Sequence, residues 1–328
     1  MGPERHFCTL FDQNYLLKAI VMIESLARHC NNAVIHVLCM DERTRRILNA
    51  LDLPGVLMLS LSDVEDDALL RVKRSRSIAE YCWTLSSSLC LHVMEMRPEV
   101  GAITYVDADL VFFSNLDPIF DEIGEASIAI IEHRFKQELI DREVGYGRFN
   151  VQWVGFRRTS AGMSCLRHWR SQCIEWCFAR LEVGRFGDQK YLDSWPNDFP
   201  GEVHIVANPG AGVAPWNYTE YVFHAIDDKI FVNSSPLVFY HFHQFQLLSG
   251  GRYDYMSAAY LDRTPIPFLI YRHYEVELSL VLGRVNSVEP GFDAGIRPAS
   301  LVLARRFVQK FVPVAIKNTL RRIGVHSW

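Results

Sequence analysis

The sequence predicts an α/β protein: a mainly parallel sheet with helices on both faces, followed by an irregular second half and a basic amphipathic tail. Three observations predict it. Strand-like and helix-like segments alternate through the first hundred residues. Of 328 residues, 49% are hydrophobic and only 22% charged. The fourth apolar strand runs directly into a pair of aspartates. Alternation of this kind requires crossover helices over a parallel sheet, whose ligands meet the carboxyl ends of the strands. The composition is far from that of a disordered chain, and no repeat period points to a solenoid or propeller.

Taken in order, residues 6–11 read as a buried strand, and Asp12 opens a helix whose apolar positions Leu16, Leu17, Ile20, Ile23, Leu26 and Ala27 recur at three and four. Residues 34–40 form a second strand and 42–51 a short helix. Residues 56–61, after Pro54-Gly55, form a third strand. A polar stretch at 62–77 precedes a helix at 78–96 and a fourth buried strand at 101–106. Beyond Asp121 the pattern loosens. Strands are expected at 126–131 and 151–156, a helix at 160–181 with Trp169, Cys173 and Trp176 on its apolar side, and a short helix or turn at 187–195. Short strands at 203–207, 230–232 and 237–240 are then joined by long loops of the kind that cover sites in compact enzymes. No low-complexity linker interrupts the chain before residue 285, so one domain at 1–285 and a tail at 286–328 are expected.

Net charge is -4, which argues against a nucleic-acid partner. No acidic residue follows Asp293, whereas Arg297, Arg305, Arg306, Lys310, Lys317, Arg321 and Arg322 do, so a basic tail hangs from an acidic body. The eight cysteines are spread through a long chain and several sit in apolar segments, which reads as buried thiols rather than disulfides. Cys165, His168, Cys173 and Cys177 match no common zinc spacing. No stretch approaches the ~18 apolar residues of a spanning helix, and Met1 to Thr9 lacks an apolar targeting core, so a cytoplasmic protein is expected.

The most informative segment is Thr104-Tyr105-Val106-Asp107-Ala108-Asp109-Leu110-Val111-Phe112-Phe113. In extended backbone two aspartates one residue apart point the same way, setting hard oxygen donors side by side at the end of a strand. Such a pair suits Mg2+ or Mn2+, which keeps positions open for phosphate oxygens. The competing reading is an exposed turn in which the aspartates cap the next element.

This segment, continued by Asn115-Leu116-Asp117-Pro118-Ile119-Phe120, resembles the D-x-D region of metal-dependent GT-A glycosyltransferases. It is most similar to the retaining family that contains glycogenin and bacterial lipopolysaccharide galactosyl- and glucosyltransferases. The resemblance covers roughly residues 5–246 and implies a Rossmann-like GT-A fold. Thr9-Leu10-Phe11-Asp12-Gln13-Asn14-Tyr15 resembles the first strand and turn that hold uracil and ribose. By chemistry alone Asp12 could accept the imide proton and Tyr15 stack on the base, or Asp12 could cap a helix with Tyr15 in the core. Arg148-Phe149-Asn150-Val151-Gln152-Trp153-Val154-Gly155-Phe156 resembles the strand whose asparagine faces the donor sugar; Val151-Gln152 replaces small residues and leaves that group open between Asn150 and Gln152. Gly187-Asp188-Gln189-Lys190-Tyr191-Leu192 resembles the D-Q segment, implying that Asp188 binds sugar hydroxyls and Gln189 lies beside the anomeric carbon.

Pro236-Leu237-Val238-Phe239-Tyr240-His241-Phe242-His243 resembles the late motif that supplies a histidine ligand. On a strand His241 and His243 would share a face; His241 is the favoured ligand beside Asp107 and Asp109. The family's phosphate-binding lysine is absent after His243, which turns attention to Arg252 or the Arg71 to Arg76 stretch. Thr9, Asp12, Tyr15, Val106, Asp107, Asp109 and Asn150 are thus the implied donor-binding residues. The glycine-rich Asn208-Pro209-Gly210-Ala211-Gly212-Val213-Ala214-Pro215-Trp216 is either a sugar-facing loop or an ordinary loop with a buried tryptophan. Residues 301–323 alternate apolar and basic groups, the composition of a helix lying on an anionic membrane surface, or of one docked on the acidic body.

The expectation is a hexosyltransferase, using Mn2+ or Mg2+ and a UDP-sugar to glycosylate a saccharide or lipid-linked acceptor with retention, in bacterial-type surface polysaccharide or lipopolysaccharide synthesis. It would be peripheral on the inner face of the membrane. The rival readings are a sugar nucleotidylyltransferase, which would want a glycine-rich phosphate loop that Leu10 to Leu17 lacks, and a non-catalytic carbohydrate-binding or scaffold protein.

Overall fold

In a computed structural model, residues 4–300 are described, apart from 228, 258, 262 and 263. The first half holds β1 (Arg5–Phe11), α1 (Leu16–His29), β2 (Ala33–Cys39), α2 (Glu42–Leu51), β3 (Val56–Ser60), α3 (Leu61–Val64), α4 (Asp67–Lys73), α5 (Ile78–Met96), β4 (Ala102–Val106), β5 (Leu110–Phe112) and α6 (Asp117–Ile123). There follow β6 (Ile128–Glu132), α7 (Arg142–Tyr146), β7 (Phe149–Arg157), α8 (Ser160–Glu175), α9 (Trp195–Asp198) and β8 (Val203–Val206). The remainder comprises β9 (Phe223–Ile226), β10 (Lys229–Val232), β11 (Ser235–Pro236), β12 (Phe239–His241), β13 (Gln246–Leu248), β14 (Arg252–Asp254), α10 (Phe268–Val288) and β15 (Ile296–Arg297).

Seven strands form the central sheet in the order β3-β2-β1-β4-β7-β6-β8. Neighbouring pairs are parallel except for the two that involve β7, which alone runs the other way. The mainly parallel α/β expectation is met. Because both faces are covered, β1 and β4 are buried continuously after their first residue rather than on alternate residues. From β1 the chain steps outward to β2 and β3, then returns to β4 on the other side. The switch in strand order therefore lies between β1 and β4, whose carboxyl ends are where open α/β sheets take their ligands.

Caps explain the helices that start where the sequence places them. The Asp41 carboxylate accepts from the Thr44 amide at 2.7 Å to open α2. Ser77 and Glu80 form a reciprocal capping box for α5. Helix α1 begins later than the sequence predicts: Asp12 folds a turn with Asn14, and Tyr15 takes the cap position without a side-chain bond. The stretch at 62–77 contains α3 and α4, and α8 stops at Glu175 rather than 181.

The structure adds β5, α6, α7 and α10, elements absent from the sequence reading. Helix α10 buries Ile270, Tyr271, Tyr274, Leu278, Val281 and Val285 at helical spacing, in the same core as α1. Residue 285 lies inside α10. The chain then returns to the body: Glu289 pairs with Arg43 and Arg46, and β15 pairs with β13. The basic segment at 301–323 lies outside the described residues. All eight cysteines are unpaired and all but Cys82 are buried. Among the described residues no helix is long and apolar enough to cross a membrane.

Candidate active site

Asp107 follows β4 at the switch point. The backbone does not continue extended as predicted; residues 107–109 turn, with the Leu110 amide reaching the Asp107 carbonyl at 3.5 Å, and the chain re-enters as β5. β5 pairs antiparallel with β12, setting His241 opposite Leu110. The Phe242 amide donates to the Asp109 carbonyl at 2.9 Å, and the His241 amide to Val213 at 2.8 Å. This two-stranded ribbon delivers His241 to the aspartates across 130 residues of sequence. His241 Nε2 lies 3.0 Å from Asp109 Oδ1 and 3.9 Å from Asp107 Oδ2.

One donor atom from each of Asp107, Asp109 and His241 falls within 4.8 Å of the others, so the three could hold one cation. Two oxygens and one imidazole nitrogen suit Mn2+ or Mg2+ in donor type. The electrostatics agree. Burial, and then the charge of Asp109, pushes the Asp107 carboxyl up to about 6, against the opposing pull of His241. At Asp109 burial works in the same upward sense, but the charge and hydrogen bond of His241, with Lys18 beyond, hold the carboxyl well below its usual range. His241 is raised, its burial outweighed by the charge and hydrogen bond of Asp109 and the charge of Asp107. The cluster attracts positive charge from within the protein.

His243 is not among the three clustered donors, although its ring centre lies 5.5 Å from that of His241. The strand ends at His241, and Gln244 takes a left-handed conformation (φ 60°) that turns the chain. The His243 ring lies against Trp216 and Tyr260. Trp216 is itself buried, with Nε1 donating to the His133 carbonyl at 2.7 Å and its ring edge-on to His241, so it offers no face to a sugar. Gly210 is required by packing: a Cβ there would collide with the Pro236 carbonyl.

A second cluster lies beside the first. Asn150 is saturated by protein. Its Nδ2 meets His133 Nε2 at 2.9 Å and Gln189 Oε1 at 3.3 Å, and its Oδ1 accepts from the Gln152 amide at 2.9 Å. Burial draws the His133 pKa down to about 3, so the ring is neutral. With Nδ1 toward the Arg148 carbonyl at 3.3 Å, Nε2 is the nitrogen free to accept. Gln189 Nε2 donates to the Tyr146 carbonyl at 2.8 Å, so its amide is clamped at both ends. Between Asn150 and Gln152, it is Asn150 that meets Gln189. The Gln152 side-chain amide is fully buried with no partner among the described residues, while its backbone carbonyl accepts from the Asp107 amide at 3.2 Å.

Asp188 is buried, and Trp169 Nε1 donates to its carbonyl at 2.9 Å. Burial first, then the charge of Asp107, pushes its carboxyl up to about 8. Toward β1, Val106 and Thr9 are enclosed in the sheet. Both oxygens of Asp12 accept from Asn14, and Tyr15 is 43% exposed. Sequence reasoning missed His133, Tyr146 and Lys18. Lys18 had a legible signal: one lysine inside the apolar run Leu16–Ile23.

A carboxylate pair and a histidine beneath the switch point of a parallel-centred sheet fit the metal-binding motifs through which the sequence resembles GT-A glycosyltransferases. The sequence profile of glycosyl transferase family 8 matches residues 6–149. The uncharacterized protein YfnD of Bacillus subtilis (strain 168) is 32% identical over 306 residues, covering 93% of this chain and 98% of its own. The uncharacterized protein YfnF of the same organism is 31% identical over 294 residues, covering 88% and 96%. Among solved structures, galactosyltransferase LgtC in complex with donor and acceptor sugar analogs has 18% identity and a TM-score of 0.46, with 72% of this chain and 86% of that chain covered. Mouse xyloside xylosyltransferase 1 has 17% identity and a TM-score of 0.45, with coverages of 74% and 98%. The chain belongs to glycosyl transferase family 8.

Proposed function

We propose that this glycosyltransferase moves a hexose from a UDP-sugar to a saccharide or lipid-linked glycan, with retention at the anomeric carbon. The observation that carries the reading is the convergence of Asp107, Asp109 and His241 at the carboxyl end of β4, beside the Asp12 to Tyr15 turn that ends β1. Asp107, Asp109 and His241 would hold Mn2+ or Mg2+, which when bound offsets charge on the departing diphosphate. The remaining steps belong to the chain. Tyr15 offers its exposed ring to a base. Gln189, clamped between Asn150 and the Tyr146 carbonyl, presents a fixed amide dipole to a sugar centre that gains positive charge. Asn150 and His133 act as positioning residues for Gln189. Asp188 supplies a buried carboxyl to sugar hydroxyls.

In same-face substitution the acceptor hydroxyl proton passes to a leaving phosphate oxygen, so no strong protein base is needed. That accords with an amide rather than a carboxylate at residue 189. The rings of Trp83, Phe186 and Tyr146 cluster beside Gln189 and favour a pyranose acceptor. The basic residues 301–328 would carry the enzyme to the cytoplasmic leaflet and a lipid-linked acceptor of surface polysaccharide or lipopolysaccharide synthesis. Their deletion should abolish binding to anionic liposomes.

The test is calorimetry with UDP, GDP and ADP, with and without Mn2+, followed by a UDP-hexose screen read as UDP release and by NMR of the product anomer. Manganese-dependent UDP binding and a retained anomer are expected. Binding that ignores the metal, or an inverted product, would overturn the proposal.

A further inference from the structure

The diphosphate of a nucleotide sugar needs positive charge beyond one divalent cation. Two aspartates already balance that cation, so the ionised diphosphate oxygens must find protein partners. Residues 244–251, after His243, contain no lysine or arginine. Arg252 Nε donates to the Ser249 carbonyl at 3.4 Å, and Arg76 is bonded to the Ile174 carbonyl and stacked on Phe178. Arg134 is held by the Asn208 and Ala211 carbonyls, and Arg148 is paired with Glu132.

Two cations beside the carboxylate cluster are not so engaged. Lys18 is 7% exposed, on the first turn of α1. Its ammonium makes no hydrogen bond or ion pair with a described residue; it lies 4.6 Å from the centre of the Tyr15 ring. Arg297 likewise has no anionic partner among the described residues. It reaches the same place from the far end of the chain. β15 pairs with β13, and the Ser249 amide donates to the Arg297 carbonyl at 2.8 Å. Gly295 (φ 75°) lets this segment press on the Asn14 to Tyr15 turn, where a Cβ would collide with the Asn14 carbonyl oxygen.

Tyr15 feels the charges of Asp109, Asp107 and Arg297, and Lys18 feels Asp109 and Arg297. Burial, with the like charge of Arg297, draws the Lys18 pKa down against the pull of Asp109. Two unpaired cations, one on the helix that begins at the Asn14 to Tyr15 turn and one on the segment packed against that turn, make a site prepared for an anion.

We propose that Lys18 and Arg297 bind the donor diphosphate, one from α1 and the other from β15, above the Asp107, Asp109 and His241 cluster. This rests on the nucleotide-sugar reading above. Lys18 lies one turn beyond the exposed Tyr15 ring, so base and diphosphate would run in order along the start of α1.

The test is calorimetry on the full chain as wild type, Lys18→Met and Arg297→Met, titrated with Mn2+ alone and with preformed manganese pyrophosphate. Each substitution should weaken pyrophosphate binding by about tenfold or more, since a charged hydrogen bond is lost. Mn2+ alone should bind Lys18→Met at least as tightly as wild type, because a positive charge near Asp109 has gone. That opposite movement is what a merely structural lysine would not give. Equal pyrophosphate affinity in wild type and variants would overturn the assignment, as would Mn2+ and pyrophosphate weakening together. Arg297 is exposed, so its variant keeps the test available should Lys18→Met fail to fold. If wild type binds neither manganese pyrophosphate nor UDP with Mn2+, the nucleotide-sugar reading itself falls. If wild type binds both and the variants are unchanged, only the assignment falls.

Discussion

The metal cluster should lose its cation as the pH drops, by an amount the geometry sets. Binding requires Asp107 ionised and His241 Nε2 free of its proton. Asp107, pushed up to about 6, is about 99% ionised at pH 8 and about 10% at pH 5, a roughly tenfold penalty. His241 is raised by the charges of Asp109 and Asp107, so its proton opposes the metal further as the pH falls. Asp109 is held well below its usual range and adds nothing in this window. The two sites interact, so the combined loss in Mn2+ affinity between pH 8 and pH 5 should be about tenfold or more. Asp107→Asn should bind Mn2+ more weakly at every pH and lose about one proton from the dependence. Free Mn2+ measured by electron paramagnetic resonance across pH 5 to 8 gives both slopes. An affinity changing by less than about threefold, or identical slopes in the two proteins, would refute the reasoning.

Three further outcomes follow from single contacts. The Asp188 carboxyl is pushed up to about 8, whereas in the unfolded chain it titrates near 3.8. Between these values the folded protein keeps a proton that the unfolded chain has released, so metal-free stability should fall as pH rises from about 4 to about 8. Asp188→Asn should flatten that decline, melt above wild type at pH 8 and lose transfer activity; parallel melting curves in chelator would contradict this. Ser25 Oγ accepts from the Phe112 amide at 3.1 Å and donates to the Met22 carbonyl at 2.9 Å, tying α1 to β5. Ser25→Ala leaves that buried amide unpaired and should cost about 1–3 kcal/mol in urea unfolding; a loss below about 0.5 kcal/mol would show another acceptor. Gly210→Ala drives a methyl into the Pro236 carbonyl, and the Val238 and Phe239 amides donate to Gly210. It should cost about 1–3 kcal/mol and loosen Mn2+ binding through β12, checked by melting and Mn2+ titration together.

What the sequence makes legible is local. Helices α2 and α5 start and stop where the sequence puts them because Asp41, Ser77 and Glu80 cap them within one turn. The aspartate pair was visible because both donors sit in one tripeptide. His241 was legible as a ligand through family resemblance, and its placement depends on β5 pairing with β12, a contact that local periodicity cannot show. His243 shows the same limit: the strand ends at His241, and although the two rings stay 5.5 Å apart, it is His241 that joins the aspartates in the three-donor cluster. Asn150 and Gln152 could not be separated because an irregularity in the pairing of β6 with β7 shifts which residues face one another.

Of the three carboxyls, Asp107 feels Asp109 and itself acts on Asp188, so that two are pushed up and one is held down. Such a set is unfavourable in the folded chain alone, so it is held by the framework: Asp107 through the Gln152 carbonyl, Asp109 through Phe242, Asp188 through Trp169. Each of those anchors is a backbone contact that a side-chain substitution leaves in place. Charge at the site can therefore be altered without dismantling its geometry, which is the condition that lets the variants above report on electrostatics rather than on folding. The cations follow another logic. Lys18 and Arg297 are far apart in sequence, and their segments come together because the chain before β15 packs on the turn after β1. An acidic motif can be read from a line of sequence; its counter-charge is written in the topology.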